Sequence, residues 1–175
     1  MQLLLAASAA VDQINSDGWS PLAIACNKGR SECVHVLSSF APTRTFAALG
    51  TTAEEVSSEA GHDALTQWLV LSRGWTSLHH VEVITTERVR ALLRGGADLL
   101  AMAAQGDQRT PLARAVQIEQ PTAVTQTLQR AAQPWSMHNH DLFPDAVRAR
   151  AVELLRVGYL LAQGVTSLAM MPRAW

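Results

Sequence analysis

The chain has 175 residues, of which 14 are lysine or arginine and 15 are aspartate or glutamate, so its formal net charge is −1. Hydrophobic residues make up 48 % and charged residues 17 %, a composition that allows a packed core and argues against global disorder. Proteins that bind nucleic acid by neutralising phosphates carry an excess of basic residues. This chain has none, so we expect no nucleic-acid partner.

Two further features of the composition bear on the cellular compartment. The two cysteines, Cys26 and Cys33, are too few for a disulfide framework, and we expect reduced thiols and an intracellular, cytoplasmic protein. The first eleven residues imitate a short signal peptide but have no basic start and only a short apolar run. No stretch approaches 18 uninterrupted apolar residues, so we expect no membrane-spanning helix.

Four segments along the chain share one pattern, in which a serine or threonine follows a glycine or glutamine by two residues. The hydroxyl residues are Ser20, Thr52, Thr76 and Thr110, at spacings of 32, 24 and 34 residues. Serine and threonine are good helix N-caps, and proline is tolerated at the first helical position, where Pro21 and Pro111 lie. Each of the four positions is therefore predicted to begin a helix.

A second helical pattern follows each of these starts. Its apolar residues, spaced as on one helix face, are Cys33, Val34, Val36 and Leu37, then Leu65, Trp68 and Leu69, then Val89, Leu92 and Leu93, and finally Val124 and Leu128. The repeating unit is therefore a turn, a short helix, a second turn and a longer helix. A period of this size indicates a repeat architecture.

These segments resemble the ankyrin repeat family, whose pattern runs D-x-x-G-x-T-P-L-H-x-A-A, then G-H, an apolar outer helix and G-A-D. The matching residues are Gly18, Ser20, Pro21, Leu22, Ala25, Gly29 and Glu32 in the first copy, Gly61-His62 in the second, Thr76–His79 and Gly96–Asp98 in the third, and Asp107 and Thr110–Leu112 in the fourth. The resemblance implies an all-α, ankyrin-repeat-like helical solenoid with short turn or hairpin fingers. Its array would cover residues 1–133, with a partial first repeat and then about four units.

The array departs from the family pattern in three places. The second unit has Ala53-Glu54 in place of proline and leucine, and it lacks the G-A-D turn. An irregular linker is predicted over residues 41–49. At the N-terminus, Leu3–Leu5 would end an outer helix and Ser8–Val11 would replace the G-A-D-V turn, so we expect the chain to begin inside a repeat.

The C-terminal region, residues 134–175, does not follow the repeat. It begins with a turn-rich stretch, Pro134–Pro144, and continues from Asp145 with a helical pattern that ends at Gln163-Gly164. Solenoids require a cap on the exposed core of the terminal unit. We therefore expect a turn and a capping helix that covers the last repeat, and leave the tail from Val165 unassigned.

Candidates for catalysis or metal binding are few. His79 and His80 are adjacent, so on a helix they point about 100° apart, and the resemblance gives His79 a role in supporting its turn. His138 and His140 lie beside Asp141, but a zinc site needs three or four ligands, and no cysteine is near in sequence. No nucleophile elbow or phosphate-binding loop occurs. We expect no enzyme, metal, cofactor or small-molecule substrate, with a hydrolase or metal enzyme built on His138 and His140 as an alternative.

Trp19 and Trp75 each precede a helix cap by one residue, which in the ankyrin resemblance is the finger tip. Tryptophan is enriched in binding hot spots, although either ring can instead pack over its own turn. By alignment with the family, the predicted partner-binding residues are Asp17, Trp19, Asn27, Lys28, Arg73, Trp75, Asp107 and Arg109. The implied function is a non-catalytic protein–protein interaction module that binds an unidentified protein partner across finger tips and inner helices.

Two alternatives to that function stay open. Leu142-Phe143-Pro144 before an amphipathic helix also fits a substrate-recruiting adaptor whose C-terminal helix docks on a ubiquitin-ligase-type scaffold. The start inside a repeat fits a truncated array fragment without independent function.

Overall fold

The computed structural model describes Leu5 and residues 9–46, 50–103, 105–118 and 122–162. Within these residues the helices are α1 (Pro21–Asn27), α2 (Ser31–Ser38), α3 (Ala53–Glu59), α4 (Asp63–Leu71), α5 (Thr86–Arg94), α6 (Pro111–Gln117), α7 (Ala123–Ala131) and α8 (Asp145–Ala162), with 3-10 turns at Ser77–His79 and His140–Leu142. The strands described are β1 (Thr45–Phe46) and β2 (Thr51–Thr52), which pair antiparallel with Phe46 opposite Thr51. The expectation of an all-α class is confirmed, apart from this small hairpin.

The hairpin corrects one expectation. Residues 45–46 belong to the segment predicted to be an irregular linker, 41–49, yet they form a strand. Residues 47–49 of that segment lie outside the described residues. Leu3, Leu4 and Ser8 lie outside them too, and so do residues 163–175. Of the predicted turn at Ser8–Val11, residues 9 and 10 have no regular secondary structure and Val11 begins a turn.

The four predicted helix starts are helix starts in the structure. The hydroxyls of Ser20, Thr52 and Thr110 each accept a hydrogen bond from the backbone N–H three residues on, at 3.2, 3.3 and 3.1 Å. Each bond satisfies a backbone donor that the first turn of a helix leaves open. At Thr76 the helix is a single 3-10 turn, Ser77–His79, after which the chain turns again at residues 81–83.

Neighbouring units pack through their short helices. In the first half, α1 packs against α2 and α3, and α3 packs against α4. In the second half, α6 packs against α7 and the 3-10 turn Ser77–His79, and α7 packs against α5. Contacts therefore join successive elements along the chain, as in stacked helix–turn–helix units.

Buried apolar side chains form two clusters. The first core belongs to α1–α4 and the hairpin and includes Leu22, Cys26, Val34, Leu37, Phe46, Leu65 and Leu69. The second core includes Leu78, Val81, Val89, Leu93, Ala115, Leu128 and Leu142. Both cysteines are free thiols, with Cys26 buried and Cys33 half-buried.

The C-terminal helix forms where it was predicted, but it does not cover the last unit. Of its large apolar side chains only Leu160 is buried, whereas Val147, Val152, Leu154, Leu155, Val157, Tyr159 and Leu161 are exposed. The end of the second core is closed instead by Leu142, which is 2 % exposed, in a 3-10 turn packed against α5. The prediction of a covering helix is wrong in this respect, because the preceding turn already occupies that position.

The turn-rich segment 134–144 is held by one buried asparagine. The Asn139 side-chain amide donates to the carbonyls of Arg130, Gln133 and Pro134 at 3.1, 3.2 and 3.1 Å. Its Oδ1 accepts from the backbone N–H of Ser136 at 2.7 Å. These bonds tie the turn to the last residues of α7 and to the segment that follows it. Among the described residues, no helix has the length and apolar character needed to cross a bilayer.

Candidate protein-interaction site

Six of the eight predicted site residues occupy two equivalent positions ahead of the helix caps. Asp17, Arg73 and Asp107 lie three residues before a cap, and Trp19, Trp75 and Arg109 lie one residue before it. In the structure Asp17, Arg73 and Arg109 are exposed, whereas Trp19, Trp75 and Asp107 are half-buried. All three exposed members are charged, so the outer part of this row is polar.

The first finger, residues 15–19, is closed by Asn15. Its Oδ1 accepts from the backbone N–H groups of Asp17 and Trp19 at 3.0 and 2.9 Å. The backbone N–H of Asn15 donates to the Trp19 carbonyl at 3.0 Å, which completes the loop around Gly18 at φ +81°. The Trp19 ring packs against the first core, whereas Asp17 is exposed, together with Asn15 and Ser16.

Asn27 and Lys28 lie at the opposite end of α1 from that finger. Seven residues at 1.5 Å rise separate the two ends by about 10 Å. The Asn27 carbonyl lies 3.2 Å from Nε2 of His62, in the turn between α3 and α4. The structure therefore places Asn27 at a contact between two units, half-buried, and Lys28 beside it on the surface.

Trp75 lies in a cluster of rings between the two cores. Its ring stacks on His79 with centroids 6.0 Å apart and meets His80 and Trp68 edge-on at 5.3 and 5.9 Å. The Arg114 guanidinium lies 3.9 Å from the Trp75 ring centroid. These contacts favour the alternative in which the Trp75 ring packs over its own turn.

His79 links the third and fourth fingers. Its Nδ1 accepts from the Thr76 backbone N–H at 2.9 Å, and its Nε2 lies 3.0 Å from the Arg109 carbonyl. The role in supporting the turn that the resemblance gave this residue is confirmed. Burial lowers the pKa of His79 from its usual value, so at neutral pH the ring is uncharged.

Arg114 joins the Trp75 cluster to the fourth finger. Its guanidinium donates to the His79 carbonyl at 3.0 Å, to Asp107 Oδ2 at 3.1 Å and to Glu82 Oε1 at 2.6 Å. The other Asp107 oxygen accepts from Arg109 Nε at 2.7 Å. Trp75, Asp107 and Arg109 are thereby brought together in one network.

The charges in this network shift the titration of Asp107. Burial alone would raise the pKa of its carboxyl, but the hydrogen bonds from Arg109 and the positive charges of Arg109 and Arg114 outweigh that effect. The net result is a pKa below the usual value, so Asp107 is ionised at neutral pH. The fourth finger is a fixed ionic arrangement rather than a free loop.

Arg73 pairs with a buried acid in the second unit. Its Nε donates to Glu54 Oε1 at 2.9 Å, and its side chain is 47 % exposed against 11 % for Glu54. The Arg109–Asp107 pair has the same character, with 48 % and 13 % exposed. In both pairs the carboxylate is inside and the guanidinium outside, so these two fingers present positive charge at the surface.

Sequence reasoning missed three residues of this region: Arg44, Glu54 in its ion pair, and Arg114. Arg114 follows its cap by four residues, where the first two units have Ile24 and Val56. A charged residue at a position that is apolar in the first two units was the available signal. His35 is half-buried, with its ring 4.1 Å from that of Trp68.

The described residues hold no group of three histidine, cysteine, aspartate or glutamate side chains placed to bind a metal ion. His140 Nδ1 lies 2.9 Å from the Met137 carbonyl.

Burial raises the pKa of the Cys26 thiol to about 12, so it is protonated at neutral pH and a poor nucleophile.

A scan of the sequence against protein-family models and a search of curated proteins found no match.

Proposed function

We propose that this chain is a non-catalytic protein-binding module built as an ankyrin-repeat-like solenoid, with its finger tips and inner helices presented to one protein partner. One observation carries the proposal: fingers at equivalent positions lead into capped helical turns, and a ring-to-backbone contact joins the first unit to the second and the third unit to the fourth. His62 lies against the first turn, and His79 against the fourth finger. The first finger is closed by its own Asn15 and the fourth is held by His79 and Arg114, so both present a fixed backbone.

The binding surface in this proposal is made by the exposed charged members of the row. Asp17, Arg73 and Arg109 are its outermost side chains. Trp19 and Trp75 support the fingers from behind, because both rings pack against other residues. In this arrangement the partner contacts a polar rim, which consists of the exposed charged side chains of the fingers. Polar rims of this kind are common in non-obligate interfaces.

A pull-down with the full chain as bait tests the function. We expect a prey protein that the wild-type chain and the control variant Glu153→Ala both retain, and that the double variant Asp17→Ala/Arg109→Ala loses. Glu153 is exposed on α8, away from the fingers. Urea unfolding of all three chains checks that the folds are equal. Retention of the same prey by the double variant would overturn the assignment of the surface.

The exposed face of α8 favours a second function, the adaptor whose C-terminal helix docks on a ubiquitin-ligase-type scaffold. Seven large apolar side chains of this helix are exposed. A chain ending at Pro144 keeps Leu142 in the second core and removes only the helix and tail. The adaptor function predicts that a ligase scaffold copurifies with the full chain and not with the shortened one. Equal recovery by both would remove this alternative.

A further inference from the structure

A cavity of about 410 Å³ lies between the β-hairpin, the start of α3 and the residues after α4. Its charged and polar lining includes Arg44, Thr52, Glu54, Arg73 and Gln105. A volume of this size is within the range of small-ligand sites, about 300–1,000 Å³. Because Arg73 also belongs to the finger row, the cavity is continuous with the proposed partner surface.

The cavity holds two guanidinium groups and one carboxylate. Arg44 donates to the Leu69 carbonyl and the Ser72 hydroxyl, both at 3.0 Å, and these neutral acceptors do not cancel its charge. Glu54, 8 % exposed, pairs with Arg73. One positive charge is therefore left over in a partly desolvated site, where it attracts an anion more strongly than it would in water.

The groups that shift the pKa of Arg44 are consistent with one uncancelled positive charge in the cavity. Burial lowers the pKa of its guanidinium, the nearby Glu54 opposes that shift, and Arg73 adds to it. The next acid, Glu55, is engaged elsewhere, because it accepts from the Thr51 hydroxyl at 3.1 Å and the Thr52 backbone N–H at 2.8 Å. The excess positive charge of the cavity is thus not cancelled by its own neighbours.

We propose that this cavity binds the carboxylate of an aspartate or glutamate in an acidic segment of the protein partner, an inference that rests on the proposed function. Arg73 uses Nε for Glu54, which leaves its two terminal amino groups as donors for an incoming carboxylate. A single carboxylate balances the surplus charge. A phosphate dianion would leave a net negative charge beside the buried Glu54, which is why the site fits a carboxylate better.

Titration of the full chain with labelled hexaglutamate, followed by fluorescence anisotropy, tests the inference. Hexaglutamate is expected to bind, and hexaglutamine and a matched phosphoserine peptide to bind more weakly. Arg73→Gln removes one charge-assisted donor and should weaken hexaglutamate binding by about tenfold. Glu54→Gln removes the competing carboxylate and should strengthen it. Arg148→Gln, on the surface of α8, is the control and should leave the affinity unchanged.

The variants act in opposite directions, so poor folding of one does not mimic the expected pattern. Equal binding of hexaglutamate and hexaglutamine, or no change in either cavity variant, would overturn the inference. Tighter binding of the phosphoserine peptide would overturn the choice of a carboxylate. If the pull-down prey depends on Asp17 and Arg109 while hexaglutamate does not bind, the cavity inference fails and the proposed function stands. If hexaglutamate binds while no prey is retained, the proposed function fails instead.

Discussion

The imidazole of His62 lies directly over Gly29, so close that a Cβ built on residue 29 would be 2.6 Å from His62 Cε1. Gly29 has a φ of +60°, and the ring also reaches the Asn27 carbonyl. The turn that ends α1 is therefore shaped to receive the turn that ends α3. This contact joins the first two units without any side chain from residue 29.

Replacing Gly29 with alanine should lower the free energy of unfolding by about 2–4 kcal/mol, because the left-handed backbone and the contact with His62 both oppose a Cβ. Gly61→Ala is the matched control. It also has positive φ, +77°, but open space around its Cβ, so it should cost only about 1–2 kcal/mol. Urea unfolding measures both, and equal losses would contradict the contact. The double variant Gly29→Ala/His62→Ala should recover part of the loss.

Acid should destabilise the protein through His80, which is 2 % exposed. Burial first, and then the positive charges of Arg44, His79, Arg114 and His35, lower the pKa of His80 from 6.5 to about 3. The unfolded chain therefore binds one more proton here as the pH falls below 6.5. The contribution of neutral His80 to the free energy of unfolding is fully present above pH 6.5. It is lost as the pH falls towards 3, by up to about 1.4 kcal/mol per pH unit.

Chemical unfolding of the wild-type chain and the His80→Phe variant between pH 4 and 7.5 measures this contribution. Phenylalanine keeps an aromatic ring in the cluster but cannot titrate, so the variant should lose stability less steeply on acidification. His79, whose pKa is also lowered, leaves a residual slope in both chains. Parallel curves would show that His80 is not responsible.

Arg114 should be worth much more to stability than Arg109. Its side chain is 14 % exposed and binds Asp107, Glu82 and the His79 carbonyl, whereas that of Arg109 is 48 % exposed. We expect Arg114→Met to cost about 2–4 kcal/mol of unfolding free energy. Arg109→Met should cost about 0–1 kcal/mol, because exposed ion pairs contribute little. Denaturant unfolding measures both losses. Similar losses for the two variants would contradict the view that Arg114 holds the network of Asp107, Glu82 and His79 together.

The exposed face of α8 should contribute little to folding. Leu155, 61 % exposed, can be replaced by serine with a change of about 0.5 kcal/mol or less. Leu128, fully buried in the second core, should cost about 2–5 kcal/mol when replaced by alanine. Thermal unfolding compares the two variants. A large loss for Leu155→Ser would mean that α8 packs against the array after all.

Local features of the fold could be predicted from the sequence, and those set by distant contacts could not. Ser20, Thr52 and Thr110 cap helices through bonds that span three residues, so their pattern is visible in the chain. The helix after Thr76 is only a single 3-10 turn, Ser77–His79, and its length depends on contacts that His79 makes with distant residues such as Arg109. Amphipathic spacing indicated α8 but not what would cover it, because Leu142 fills the place that helix was expected to take.

The residues of the candidate site also fall into two groups: those whose position could be predicted from the sequence, and those whose surroundings depend on distant contacts. The row of Asp17, Arg73 and Arg109 follows from the repeat register, and all three are exposed. The position of Trp75 left two interpretations open, and the contacts that decide between them include the guanidinium of Arg114, which is remote in sequence. The cavity beside Arg73 was invisible for the same reason.

Photo-crosslinking measures whether one protein partner binds at the finger tips. A benzophenone amino acid placed at residue 17 or residue 109 of the full chain, and at residue 153 as control, is irradiated in extract of the native host. Mass spectrometry then identifies the adducts. We expect one protein to be crosslinked from both finger positions and not from residue 153. Adducts that are absent from the fingers, or equally abundant from all three positions, would contradict it.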